Sequence, residues 1–291
     1  MSPRPDFVTG NTRLKARLPD LLAGVGDGSE ASSGDWRDLL RAVPTAYTGQ
    51  AREVVAVLTA RHDLSDTLAL LRGATTRAPA ADRLAAVNCV GRLTTAHATD
   101  VASARDGAAA LARLVAHGLP DPEVARQLPR IWERFELHAD TEELETSIAA
   151  AAHRAWTARL EPARRPIAPV LDLLAEERDI ANVVNLAQNP RPATRLLPPG
   201  RVNTQALSAV AAGDWTPTLR HRPQWRPAVL RWEAHYDAVE LESDLLEVMS
   251  ARAWPLIRQP DPFGVGIAVG YVLAVESAAR HARLATLSRL S

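Results

Sequence analysis

Residues 60–70 read ARHDLSDTLAL and residues 176–186 read EERDIANVVNL. Each sets a charged residue and an aspartate (Asp63, Asp179) before an aliphatic residue. Each then places Asp66 or Asn182 three positions on and continues with aliphatic residues at helical spacing. The two stretches stand 116 residues apart, and a third, fainter copy runs from Val275-Glu276 to Leu284, 99 residues after the second. A drifting offset of this size is too long for stacked helix-pair repeats of roughly 30 to 47 residues. It suits about three related helical subdomains, expected at 1–110, 111–200 and 201–291.

The same periodicity extends outward from these stretches. Leu14, Leu18, Leu21 and Leu22 form one apolar stripe, and Leu64, Leu68 and Leu71 another. Leu144, Ile148, Trp156 and Leu160 follow the rule, as do Ile167, Val170, Leu171 and Leu174. Sustained apolar–polar alternation is nearly absent, so strands have little support. The prolines leave long blocks free of them, at 45–78, 80–119, 130–161 and 228–254. Asp121-Pro122 and Asp261-Pro262 pair an N-cap acceptor with proline at the first helical position. Asp140 with Glu143 reads as a capping box. The expected fold is all-α. Residues 23–34 (AGVGDGSEASSG), 189–200 (NPRPATRLLPPG) and 216–227 (TPTLRHRPQWRP) read as linkers or turns.

Composition bounds the function. In 291 residues, 46% are apolar and 23% charged, the balance of a soluble chain with a buried core. Lys+Arg and Asp+Glu stand at 34 each, so the surplus of positive charge expected of a nucleic-acid binder is missing. Lys15 is the single lysine, which excludes a phosphate-binding lysine loop. Cys89 is the single cysteine, so neither an intramolecular disulfide nor a Cys-rich zinc site can form. No signal peptide is expected at the start, and the apolar stretch 263–275 is too short for the roughly 20 residues that span a bilayer.

A search for chemistry returns little. His62, His97, His117, His138, His153, His221, His235 and His281 never fall at metal-ligand spacing, and there is no G-x-S-x-G elbow. Cys89, beside Val87 and Val90, reads as a small buried residue of a helical stretch. The acidic clusters 142–145, 176–179 and 240–244 read as solvated helix faces, and Asp63 and Asp179 as braces or caps. Gly266 and Gly270 offer a side-chain-free stripe for close helix packing. No catalytic residue, cofactor site or metal site is predicted.

Several of these residues together resemble the C-subunit family of V-type and archaeal-type rotary ATPases (ATP synthases), which is homologous to the vacuolar ATPase d-subunit. Asn11-Thr12-Arg13-Leu14-Lys15 resembles the family's opening pattern of Asn, a basic residue and an aliphatic one. Asp63-Leu64 with Leu68, Leu71 and Arg72 resembles its D-aliphatic-x-N helix, with Asp66 where Asn is usual. Asp179 with Asn182 resembles the second occurrence. Asp261-Pro262-Phe263-Gly264-Val265-Gly266, Tyr271 and Glu276 resemble the C-terminal segment, where Arg280-His281 stand in place of the usual Asn. The stretch 75–141 carries no matched motif, and Arg replaces most of the family's lysines.

The resemblance implies a non-catalytic rotor part: three similar helical subdomains in a pseudo-threefold funnel, held at the cytoplasmic face of the cell membrane. Its implied partners are the central-stalk subunits and the membrane proteolipid ring, with no nucleic acid and no spanning segment of its own. The motif positions then serve structure or interface. The run Arg220, Arg222 and Arg226, without acidic neighbours in sequence, is the candidate partner contact. An all-α scaffold or adaptor without enzymatic activity is the alternative class.

Overall fold

Ala, Leu, Arg and Glu are strong helix formers, and the chain they dominate folds accordingly. The computed structural model describes residues 6–17, 35–161, 166–189, 196–258 and 263–290. Among the described residues the regular structure is α-helix and short 3-10 turns, and there is no strand. The helices are α1 Val8–Ala16, α2 Asp35–Thr45, α3 Gly49–Thr75, α4 Ala80–Ala85, α5 Thr95–Ala102, α6 Gly107–His117, α7 Pro122–Ala125, α8 Leu128–His138 and α9 Thr141–Leu160. They continue as α10 Ala168–Gln188, α11 Thr204–Ala211, α12 Thr216–His221, α13 Arg226–His235, α14 Ala238–Ser250, α15 Ala253–Arg258 and α16 Gly266–Leu290. A 3-10 turn, Pro223–Trp225, joins α12 to α13. Among the described residues no helix is long and apolar enough to cross a membrane. Of the linkers expected from sequence, 23–34 and residues 190–195 of the stretch 189–200 lie outside the described residues.

The chain divides into two compact units, Met1–Arg165 with Pro262–Gly264, and Pro166–Asp261 with Val265–Ser291. In the first, the 27-residue α3 is the axis and packs against α2, α6 and α9. Leu40 of α2, Leu58, Leu70 and Leu71 of α3 and Leu114 of α6 are fully buried. Burying each such side chain is worth about 1.5–3 kcal/mol relative to exposure. In the second, the 21-residue α10 packs on α11, α14 and α16 around Val170, Leu174, Val183, Leu245 and Val272.

The predicted caps are present where they are described. Asp121 accepts from Glu123 N at 2.9 Å, and Asp140 Oδ1 accepts from Glu142 N and Glu143 N at 3.0 Å each. Asp261-Pro262 lies outside the described residues. Two expectations are corrected. The stretch 216–227 is not a linker: its prolines open α12, the 3-10 turn and α13, positions where the missing N–H is harmless. Nor does the chain around Cys89, with Val87 and Val90, form the helical stretch expected there. Helix breaks off between α4 and α5, and Cys89 sits in that break, half-exposed and with φ of 55°. What replaces helix there is a set of side-chain acceptors from α3.

Candidate functional site

Asp63 and Asp66 lie one turn apart on α3, and both carboxylates are buried. Asp63 Oδ2 accepts from Arg92 N at 2.7 Å and Oδ1 from Leu93 N at 2.9 Å. Asp66 Oδ1 accepts from Asn88 N at 2.9 Å, and its Oδ2 from Cys89 N at 2.7 Å. Four N–H groups that a helix would have satisfied internally are thus held by one face of α3, which is why the chain can break here and restart as α5. Burial pushes the carboxyls of Asp63 and Asp66 up, and that of Asp63 reaches about 6. The thiol of Cys89 is also pushed up, first by burial and then by the Asp66 charge.

The second unit repeats this device. Asp179 of α10 accepts from Gly200 N (2.9 Å), Arg201 N (2.9 Å) and Val202 N (3.2 Å). Asn182, one turn on, accepts from Leu197 N at 2.8 Å and donates to Leu197 O at 3.1 Å. The clasped segments read GRLTT at 91–95 and GRVNT at 200–204, and each runs into a helix capped by the fourth residue: Thr94 for α5, Asn203 for α11. The glycine admits the close approach. A Cβ on Gly91 would lie 2.3 Å from Asp63 Oδ2, and one on Gly200 would lie 2.1 Å from Ala175 O. Sequence reasoning found the aspartates but missed these glycines. The offset between the helices is 116, that between the clasped segments 109, so no single sliding register aligns both.

A second repeated motif also escaped sequence reasoning. Residues 134–148 read RFELHADTEELETSI and residues 231–245 read RWEAHYDAVELESDL. Both form a helix hairpin, α8–α9 and α13–α14, whose turn residue is left-handed: Ala139 at φ 51° and Tyr236 at φ 55°. Both then restart on an aspartate N-cap, Asp140 or Asp237, that accepts two backbone N–H groups. Apart from α4, which stands between α3 and the first clasp, the described elements of the two units follow the same order of long helix, clasp, short helices and hairpin. For the third stretch, on α16, no clasp of this kind is found among the described residues.

The second clasp contains a buried ion network that has no counterpart at the first among the described residues. Arg222, only 3% exposed, donates from Nη2 to Asp179 Oδ2 at 2.7 Å, and its Nη1 lies 3.7 Å from Glu176 Oε1. Glu176 also pairs with Arg252. This corrects two expectations. Glu176 and Asp179 are not part of a solvated face but fully buried. Arg222 is not a surface contact but the internal counter-charge, its guanidinium 5.4 Å from the ring of Trp225. Nothing in the local sequence marks it, since its partners lie 43 and 46 residues away.

The other motif positions are dispersed. Asn11 is buried on α1, accepts from Tyr47 OH at 2.7 Å and donates to Gly264 O at 3.0 Å. Burial holds the Tyr47 hydroxyl far above its ordinary pKa. Arg13 reaches Ala46 O at 3.3 Å. Leu64 is buried, and Arg72 makes a bidentate pair with Glu145 of α9 at 2.7 and 2.6 Å. That hydrogen-bonded carboxylate raises the Arg72 pKa. Tyr271 is buried in α16, and Glu276 is half-buried on the same helix. Gly270 receives α15, with Ala253 O 2.7 Å from where a Cβ would stand, so the glycine stripe serves internal helix packing there, as expected. At Gly266 the fit is looser, the nearest atom standing 3.6 Å from the Cβ position. Arg220 and Arg226 are exposed. Among the described residues no group of three or more His, Cys, Asp or Glu could hold a metal ion. His97 and His117 stack at 4.4 Å, with His117 Nε2 2.8 Å from Asp100.

These groups can bind and brace backbone: in the clasps each aspartate oxygen is engaged by donors of the chain itself. Among known proteins, no family model and no curated sequence matches the chain.

Proposed function

We propose that this chain is a non-catalytic central-rotor subunit of a V-type or archaeal-type rotary ATPase. In that role it is a socket between the central stalk and the membrane proteolipid ring, passing torque for ATP-coupled proton or sodium transport. The observation that carries the reading is the recurrence of one device, an inward-facing aspartate on a long helix clasping a Gly-Arg-aliphatic segment, followed by the same hairpin. In the proposal, the long helices α3, α10 and α16 mark three related subdomains arranged as a funnel.

The physics suits the task. A torque coupler must resist shear, and close-packed helices with their connecting segments hydrogen-bonded to buried carboxylates leave few soft joints. Partner contacts then fall to exposed charge. Arg220 and Arg226 are candidates, whereas Arg222 is engaged internally.

The test is a pull-down of tagged protein from its own solubilised membranes, with partners identified by mass spectrometry. Co-purification of proteolipid and central-stalk subunits is the expected result. Recovering neither, from membranes shown to contain an assembled rotary ATPase, overturns the proposal and leaves a helical scaffold. An Arg220→Glu/Arg226→Glu variant that retains both partners would remove those two residues from the interface.

A further inference from the structure

Two carboxylates stand one turn apart on α3, buried to 0% and 1% exposure, and among the described residues no guanidinium or ammonium is paired with either. The same register of the second unit is built differently. There Asn182 replaces one of the acids, and Arg222 sits on the other. Two buried carboxylates this close are expensive, and beyond the backbone N–H groups that both clasps supply three further remedies exist: a counter-ion, an amide in place of an acid, or a proton. The second clasp uses the first two. At the first clasp both positions are acids, and among the described residues neither carries a guanidinium or ammonium partner.

We propose that the Asp63–Asp66 clasp is a proton-operated latch. It holds a proton when closed, so that acidification tightens residues 88–93 onto α3 and a rise in pH loosens them. The latch does not depend on the rotary role.

The surroundings favour this. Desolvation raises both carboxyls. For Asp63 it outweighs the hydrogen bonds from Arg92 N and Leu93 N and is reinforced by the Asp66 charge, with His62 of α3 pulling the other way. Charged groups on the neighbouring elements are engaged elsewhere. Arg41 of α2 donates to Cys89 O and pairs with Asp38, and Arg37 lies over Trp36. Arg83 of α4 donates to the carbonyls of Ala78, Ala102 and Ala104. Arg113 and His117 of α6 pair with Asp100 of α5, and Glu145 of α9 pairs with Arg72. The sign follows from linkage. A carboxyl whose pKa in the closed state exceeds its ordinary value binds its proton more tightly closed than open. The closed state is therefore favoured below the ordinary value, and that advantage is lost as pH rises through about 6.

The experiment is amide hydrogen exchange on the full chain at pH 5.0 and 7.5, corrected for the intrinsic rate. Amides 88–93 are read against amides 197–202 of the other clasp. Opening of 88–93 is expected to rise about tenfold between the two pH values, with a smaller change at 197–202. In Asp66→Asn, which copies the residue at the second clasp, the pH dependence at 88–93 is expected to shrink. Equal protection of 88–93 at both pH values overturns the proposal, and so does an equal change at both clasps. Should Asp66→Asn fail to fold, carbon-13 titration of the Asp63 carboxyl in the wild-type chain decides: a midpoint near 6 supports the latch, and one at or below about 4 overturns it.

Discussion

Replacing Arg222 by Ala removes a cation placed between two carboxylates that are both fully buried. The Nη2–Asp179 contact is 2.7 Å and the Nη1–Glu176 contact 3.7 Å. At an effective dielectric near 20, unit charges about 4 Å apart attract by about 4 kcal/mol. Part of that is cancelled by the cost of burying the ions, so the pair contributes less than its Coulomb term. Deleting one partner is different, because it leaves the desolvation cost with nothing to offset it. Arg252 still serves Glu176, so the residue left without a cation is Asp179. The expected loss is about 3–5 kcal/mol, a large share of the roughly 5–15 kcal/mol that holds a domain folded. Urea unfolding followed by tryptophan fluorescence suits the assay, since buried Trp225 lies beside the guanidinium. A double variant, Arg222→Met with Asp179→Asn, should recover part of the loss by removing the stranded charge as well. A single-variant loss below about 1 kcal/mol, the range of exposed pairs, would refute the reasoning.

Three further outcomes follow from the same geometry. Arg72→Ala breaks a bidentate pair in which Arg72 is more than half exposed, so it should cost no more than about 1 kcal/mol in urea unfolding despite its ideal distances. Gly270→Ala should destabilise by about 1–3 kcal/mol, because its Cβ meets Ala253 O at 2.7 Å; Gly266→Ala, whose nearest neighbour is 3.6 Å away, should be neutral or mildly stabilising in the same thermal melt. Tyr47→Phe removes the donor to Asn11 Oδ1 and leaves a buried acceptor without it. The cost should be about 1–3 kcal/mol, with faster exchange of α1 amides as the local readout.

Several short motifs singled out in the sequence have a physical reason in the structure. Asp63 and Asp179 recur because each organises the backbone of a following segment. Asn11 belongs to a buried network with Tyr47 and Gly264, and Arg72 ties α3 to α9. The run 220–226 fares differently: its three arginines look alike in sequence, yet only Arg220 and Arg226 face solvent.

Sequence by itself determined what depends on neighbours along the chain. Helical class follows from composition and 3.6-residue spacing; the caps at Asp121 and Asp140 follow from an acceptor standing two or three residues before the N–H it binds. The recurring aspartates are visible for the same reason, as patterns within a single helix. Tertiary structure alone decided which carboxylates would be dry, which acceptors would hold the chain where a helix breaks, and which arginine would turn inward. The acceptors for residues 88–93 come from positions 22 to 30 residues earlier, and the cation for Asp179 from 43 residues later. A charge shows no sign in its local sequence of whether water or a distant guanidinium will solvate it. That is settled only when packing removes the water.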